Sequence, residues 1–97
     1  MVYMANPPHP GEILKRMYLD PLDINITDAA KKLKITRKAL SEFVNKKSNL
    51  SLEMAMRLSK AFDTEIEMWL NMQLQYDVAQ AKSNIDVSDV EVIYKAS

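Results

Sequence analysis

The sequence predicts an all-α chain built from five helices. Three observations carry this. The single glycine is Gly11, the four prolines (Pro7, Pro8, Pro10 and Pro21) all stand in the first quarter, and the rest of the chain sets capping residues in front of apolar residues at helical spacing. Sheets joined by hairpins draw on glycine for their turns, and this chain has almost none to offer. At 97 residues there is room for one small domain with one core.

The elements follow in order. Pro7, Pro8 and Pro10 hold residues 1–8 as an extended N-terminal arm. Helix 1 is expected from about Pro10 or Gly11 through Ile13, Leu14 and Met17 to about Leu19, where Pro21 forbids its extension. Helix 2 is expected to open after Thr27, whose hydroxyl can accept from first-turn amides, and to end near Leu33. Helix 3 opens after Thr36, with Ile35 and Leu40 placed as a hydrophobic staple, and runs to about Val44. Helix 4 starts after Ser51, with Ala55, Leu58 and Phe62 on one stripe. Thr64 and Glu67 read as a capping box for helix 5, expected from Glu65 to about Ala81. The folded domain is thus expected over residues 9–82, followed by a tail over 83–97.

Helices 2 and 3 are separated by only Lys34 and Ile35, the spacing of a helix-turn-helix. Helix 3, about 37–44, would pack Ala39, Leu40, Phe43 and Val44 and present Arg37, Lys38, Ser41, Glu42 and Asn45 on its other side. Long hydrogen-bonding side chains on one helix face suit the major groove of DNA.

Charge supports the same segment. The formal net charge is zero, from 13 basic and 13 acidic residues. Between Lys31 and Lys47, however, seven cations (Lys31, Lys32, Lys34, Arg37, Lys38, Lys46 and Lys47) face the single acid Glu42, a net +6 that leaves −6 for the remainder. A basic segment of that density attracts phosphate, while the acidic remainder opposes indiscriminate binding to polyanions.

Catalysis has little to work with. His9 is the sole histidine, and there is no cysteine, so no zinc site is expected and His9 is expected to cap or pack against helix 1. Ser41 and Ser59 have no histidine at a motif spacing, and no glycine-rich phosphate loop is present. A non-enzyme without cofactor or metal is expected. The absence of cysteine, of a signal region and of a long apolar run predicts a soluble, cytoplasmic chain.

Four separated blocks, His9-Pro-Gly-Glu-Ile-Leu14, the helix-turn-helix from Ala29 to Asn45, Ser51-Leu-Glu-Met-Ala-Met-Arg-Leu-Ser59 and Trp69-Leu-Asn-Met-Gln73, match in order and spacing. The chain resembles the HigA-type antitoxins, also called virulence-associated protein I, within the Cro and phage-repressor superfamily. The resemblance runs from about Pro8 to Ala81. It implies a lambda-repressor-like domain that dimerises, binds palindromic operator DNA, represses its own operon and neutralises an mRNA-cleaving, HigB-like toxin. A free-standing repressor without a toxin is the alternative. The toxin half of this expectation comes from the resemblance alone. Two departures stand out: the superfamily often carries glycine where this chain has Lys34, and Asn45-Lys46-Lys47 replaces the family's Asn-Gly-Lys. A positive φ at either lysine would cost about 1 kcal/mol relative to glycine.

The superfamily's docking mode points Arg37, Lys38, Ser41 and Glu42 at base edges. Arg37 or Lys38 can donate to guanine O6 and N7. Glu42 has two roles open to it: accepting from cytosine N4, or only restraining Lys38 one turn earlier. Thr27, Thr36, Asn45, Lys46 and Lys47 fall at helix ends, where they can hold phosphates. In helix 5, Ile66, Leu70, Leu74 and Val78 mark one apolar seam and Trp69, Met72, Tyr76 and Ala79 another. One small fold needs only one of them, so the second implies a partner, either its own copy or another protein; a symmetric homodimer is expected, with Trp69, Met72 and Tyr76 at its interface. The tail alternates Ile85, Val87, Val90, Val92 and Tyr94 with Asp86, Asp89 and Glu91, a strand signal, although Ser88 can instead cap a short helical turn.

Overall fold

The computed structural model describes residues 6–95, and five α-helices make up its regular structure: α1 (Pro10–Ile13), continued by a π-helical segment (Leu14–Leu19), α2 (Ile26–Leu33), α3 (Arg37–Val44), α4 (Leu52–Phe62) and α5 (Ile66–Asn84). Of the expected extended arm, residues 1–5 lie outside the described residues, as do 96 and 97 of the tail.

Side-chain caps start most of these helices. The Asn25 side chain accepts from Asp28 N, Thr36 from Ala39 N and Ser51 from Met54 N, at 2.8, 3.0 and 3.0 Å. Each such cap stabilises its helix by about 1 kcal/mol. Thr27 is therefore not the cap of α2. Asn25, two residues earlier, takes that place, its Oδ1 accepting from the Asp28 amide of the first turn, and Thr27 sits inside the helix. The capping box expected at α5 is also absent: Glu65 is the cap position, with no side-chain bond, and the Thr64 hydroxyl instead accepts from Trp69 Nε1 at 2.8 Å. A buried indole N–H must find an acceptor, and Thr64 is the one within its reach.

Both turns flanking α3 use left-handed lysines. Lys34 has φ 61° and Lys46 has φ 64°. At the end of α2, Ile35 N donates to Ala30 O and Lys34 N to Lys31 O; at the end of α3, Lys47 N donates to Glu42 O and Lys46 N to Phe43 O. These are paired Schellman bonds, which ordinarily place glycine at the left-handed position. The helix-turn-helix geometry thus holds with lysine in glycine's place.

Leu14, Leu19, Ala29, Ala30, Leu33, Leu40, Phe43, Val44, Leu50, Ala55, Leu58 and Trp69 form one core. Met17, expected on the apolar stripe of helix 1, is exposed, as is Ala39 on the flank of α3. α1 crosses the C-terminal end of α3 at Gly11. A Cβ there would collide with the Phe43 carbonyl and stand 3.0 Å from Val44 Cα, so only glycine permits this approach.

Trp69 is fully buried in this core, which overturns its assignment to a dimer interface. Its ring lies 5.4 Å from that of Tyr18, and such a site leaves nothing for a partner to touch. Met72 is half-buried against the core, and Tyr76 stands edge-on to His9 at 5.0 Å. The other seam is divided: Ile66 and Leu70 also pack against the core, Val78 is half-buried, and Leu74 alone is 54% exposed. α5 continues three residues past the expected Ala81, to Asn84. Residues 85–95 then run exposed and form no strand; one turn, closed by Val90 N to Val87 O, interrupts them. A lone extended segment has no sheet edge to pair with, so alternation alone does not make it a strand. The radius of gyration, 16.3 Å, exceeds the about 12–13 Å of a compact chain of this length, and the molecule is 51 Å long.

Candidate nucleic-acid interface

α2, α3 and the turns that follow them carry the cations seen in the sequence outward: Lys31, Lys32, Lys34, Arg37, Lys38, Lys46 and Lys47 are all exposed. The face of α3 opposite Leu40, Phe43 and Val44 presents Arg37 and Lys38 at its N-terminal end, with Ser41 and Glu42, both half-buried, one turn on. Helix periodicity thus delivers the expected base-reading set to one side.

The structure adds partners that spacing could not show. Arg37 Nε donates to Thr27 Oγ1 at 3.0 Å, a bond from α3 back to the first turn of α2. This bond fixes the plane of the guanidinium and leaves its two terminal amino groups for a planar acceptor pair. Thr27 Oγ1 is occupied as an acceptor, yet its hydroxyl proton remains available to a phosphate. The Thr36 hydroxyl is in the same state, accepting from Ala39 N.

Lys38 Nζ stands 3.8 Å from Glu42 Oε1, so Glu42 does lie within reach of the lysine one turn earlier. With the Lys38 side chain 85% exposed, that pair is weak and easily exchanged for another partner. Asn45 turns its amide nitrogen back to Ser41 O at 2.8 Å and Ser41 Oγ at 3.3 Å. In this arrangement both hydrogens of its side-chain amide are used within α3, and the exposed charge after α3 comes from Lys46 and Lys47.

The loop that carries those two lysines is tethered from two directions. Gln73, buried on α5, accepts from Leu50 N at 2.7 Å through Oε1 and donates from Nε2 to Asp77 Oδ1 at 2.8 Å and Asn49 Oδ1 at 3.4 Å. His9 accepts from Gly11 N through Nδ1 at 2.9 Å, capping α1, and bonds Ser48 O through Nε2 at 3.0 Å. Only the neutral ring with its proton on Nε2 satisfies both bonds. Burial pushes the His9 pKa below the ordinary imidazole value; the Ser48 bond opposes this and the nearby Lys46 charge adds to it. The His9 ring also meets Phe43 at 5.5 Å. His9 therefore caps and packs as expected, but Gln73 escaped sequence reasoning, because a polar residue on a helix looks like surface until its long-range partner is known.

Among the described residues no cluster of histidine, cysteine, aspartate and glutamate could hold a metal ion, and no helix is long and apolar enough to cross a membrane.

Comparison with known proteins agrees with this geometry. The helix-turn-helix family model matches residues 15–69. Virulence-associated protein A' of Dichelobacter nodosus is 54% identical over 78 residues, covering 79% of this chain and 67% of that protein. Among solved structures, the Pseudomonas aeruginosa antitoxin HigA with the higBA promoter superposes with a TM-score of 0.81 at 31% identity, covering 92% of this chain and all of that one. The antitoxin GraA in complex with its operator gives a TM-score of 0.82 at 26% identity, covering 100% of this chain and 97% of the other. A family match across more than half the chain, high identity to a relative and full-length superposition on antitoxins converge, and the chain belongs to the helix-turn-helix family of DNA-binding regulators and antitoxins of the HigA type, not to an enzyme family.

Proposed function

We propose that the protein is the antitoxin of a type II toxin–antitoxin pair, which represses its own operon by binding operator DNA as a homodimer and neutralises a HigB-like, mRNA-cleaving toxin. The observation that carries the DNA part is the exposed face of α3, which bears Arg37 and Lys38 and is flanked by five further exposed cations, in a fold whose solved relatives include an antitoxin with its promoter and another with its operator. In this reading Arg37 and Lys38 donate to guanine, Ser41 and Glu42 meet neighbouring base edges, and Lys46, Lys47 and the hydroxyls of Thr27 and Thr36 hold phosphates. Arg37 is the pre-oriented reader, because Thr27 already holds its guanidinium.

Two copies are needed because a palindrome offers two half-sites related by a two-fold axis. Exposed Leu74 and half-buried Val78 on α5 supply the dimer contact, with Met72 and Tyr76 beside them rather than Trp69.

A mobility-shift titration on the duplex upstream of the gene, against a scrambled duplex of equal length, tests the DNA reading. Specific binding over at least about tenfold is expected. Equal affinity for both duplexes refutes sequence readout. Co-expression with the neighbouring small open reading frame tests the toxin reading: growth arrest by that frame alone, relieved by this chain, is expected. Operator binding without any such relief leaves a free-standing repressor.

A further inference from the structure

A groove of about 670 Å³ runs between the C-terminal end of α2 and α4. Its floor is apolar, from Leu33, Met56 and Ala61, and Met56 is 52% exposed there. Its rim carries Lys32, Lys34 and Lys60, none of which forms an ion pair among the described residues; the one rim acid, Glu53, is already bound by Arg57 at 2.8 Å. The groove thus asks for an apolar segment carrying about three negative charges.

The chain has such a segment. Ile85, Val87, Val90, Val92, Ile93 and Tyr94 are each more than 60% exposed. Between them stand Asp86, Asp89 and Glu91, and among the described residues no salt bridge involves any of the three. The tail's hydrogen bonds are local, from Ser88 N to Asp86 Oδ1 and from Val90 N to Val87 O. Six apolar side chains in water over ten residues are an exposed surface without a partner.

We propose that the tail of one protomer, residues 85–94, docks in the α2/α4 groove of a second copy, its valines on the Leu33–Met56 floor and its acids on Lys32, Lys34 and Lys60. The proposal rests on the α5-mediated homodimer above, and that dimer brings the two surfaces together. A two-fold axis crossing α5 near Leu74 makes the paired helices antiparallel. Asn84 of the partner subunit, ten residues beyond Leu74, then lies beside residue 64, ten residues before it. Residue 64 follows directly on Lys60, Ala61 and Phe62 at the end of α4, which is the mouth of the groove. An extended tail of ten residues spans about 33 Å, enough to run its length. Symmetry makes the exchange reciprocal, so both grooves and both tails are covered at once.

The chain contains no cysteine, so single cysteines report the contact cleanly. Full-length Ala61→Cys and Val87→Cys chains are mixed, allowed to exchange subunits and treated with a short thiol cross-linker, while sedimentation velocity on each chain records the oligomeric state. A covalent product joining one chain of each kind, absent when either is treated alone, is expected. Adding Lys60→Glu to the Ala61→Cys chain should lower its yield about fivefold, the worth of one exposed ion pair, and Lys60→Arg should preserve it. A dimer by sedimentation with no mixed product overturns the docking and leaves the α5 dimer standing. Efficient linkage within one chain that carries both Ala61→Cys and Val87→Cys, at dilutions where it is monomeric, overturns the exchange in favour of a tail folded on its own groove. A monomer at all concentrations up to about 100 micromolar overturns the dimer and the docking together.

Discussion

Replacing Gln73 by leucine removes the anchor that ties α5 to the loop following α3, and the structure sets the size of the effect. Gln73 is 7% exposed and leucine is close to it in volume, so packing changes little. What is lost is the acceptor for Leu50 N, at 2.7 Å, on a residue only 8% exposed. A buried amide left without a partner costs about 1–3 kcal/mol. Asp77, exposed, regains water for its carboxylate at little cost. At about 4–8 °C of melting temperature per kcal/mol for a domain of this size, the variant should melt about 5–20 °C lower than the parent. The loop also carries Lys46 and Lys47. Reordering one residue of backbone on DNA costs about 1–2 kcal/mol, so affinity for duplexes of any sequence should fall about fivefold or more. The pair Gln73→Glu with Asp77→Asn keeps both bonds, because the new carboxylate accepts from Leu50 N while the new amide donates to it. Thermal melts and filter binding of the three proteins decide the matter. A Gln73→Leu protein that melts within a degree of the parent, or a double variant no better than Gln73→Leu, refutes the anchor.

Three further outcomes follow from the same geometry. Arg37→Ala should cost about 1–3 kcal/mol on the operator and relax preference at one base pair, whereas Lys47→Ala should weaken all duplexes alike and reduce the salt slope by about one; identical losses by both on operator and random DNA would remove the readout role of Arg37. Lys46→Gly relieves a left-handed residue at φ 64° and removes a charge beside the phosphates, so it should stabilise the fold by about 1 kcal/mol in denaturant titration while weakening DNA binding; a change of the same sign in both contradicts the assignment. His9 has its pKa lowered on folding, so the unfolded chain takes up its proton first: stability should be level above the ordinary imidazole value of 6.5 and decline as pH falls from there towards the lowered folded value. His9→Asn, which can still cap α1, should flatten that decline, and an unchanged pH profile in the variant would place the effect elsewhere.

Much of the fold was legible in the chain, and the reason is local. Thr36 and Ser51 cap helices because a hydroxyl one residue ahead of an apolar repeat has only nearby amides to satisfy, and that depends on a few consecutive residues. The cluster of seven cations around α3 was equally plain, since lysines so placed point outward wherever the helix packs its other side. Short-range rules failed where groups compete for one partner: Asn25 rather than Thr27 accepts from the first-turn amide of α2, and the buried Trp69 indole N–H donates to the Thr64 hydroxyl expected to cap α5.

Tertiary structure alone decided the remainder. Two apolar seams on α5 are equivalent on a helical wheel, and only the position of Tyr18 and the rest of the core showed that Trp69 belongs inside and Leu74 outside. The bonds from Gln73 to Leu50 and from His9 to Ser48 span 23 and 39 residues, distances over which sequence spacing carries no information about contact. The sequence by itself determined which helices form and where their charge lies, because both are set within a turn or two of backbone. Which faces are spent on the core, and how the loop that carries Lys46 and Lys47 is held, depended on the three-dimensional closure of the chain, which alone brings those distant donors and acceptors to one place.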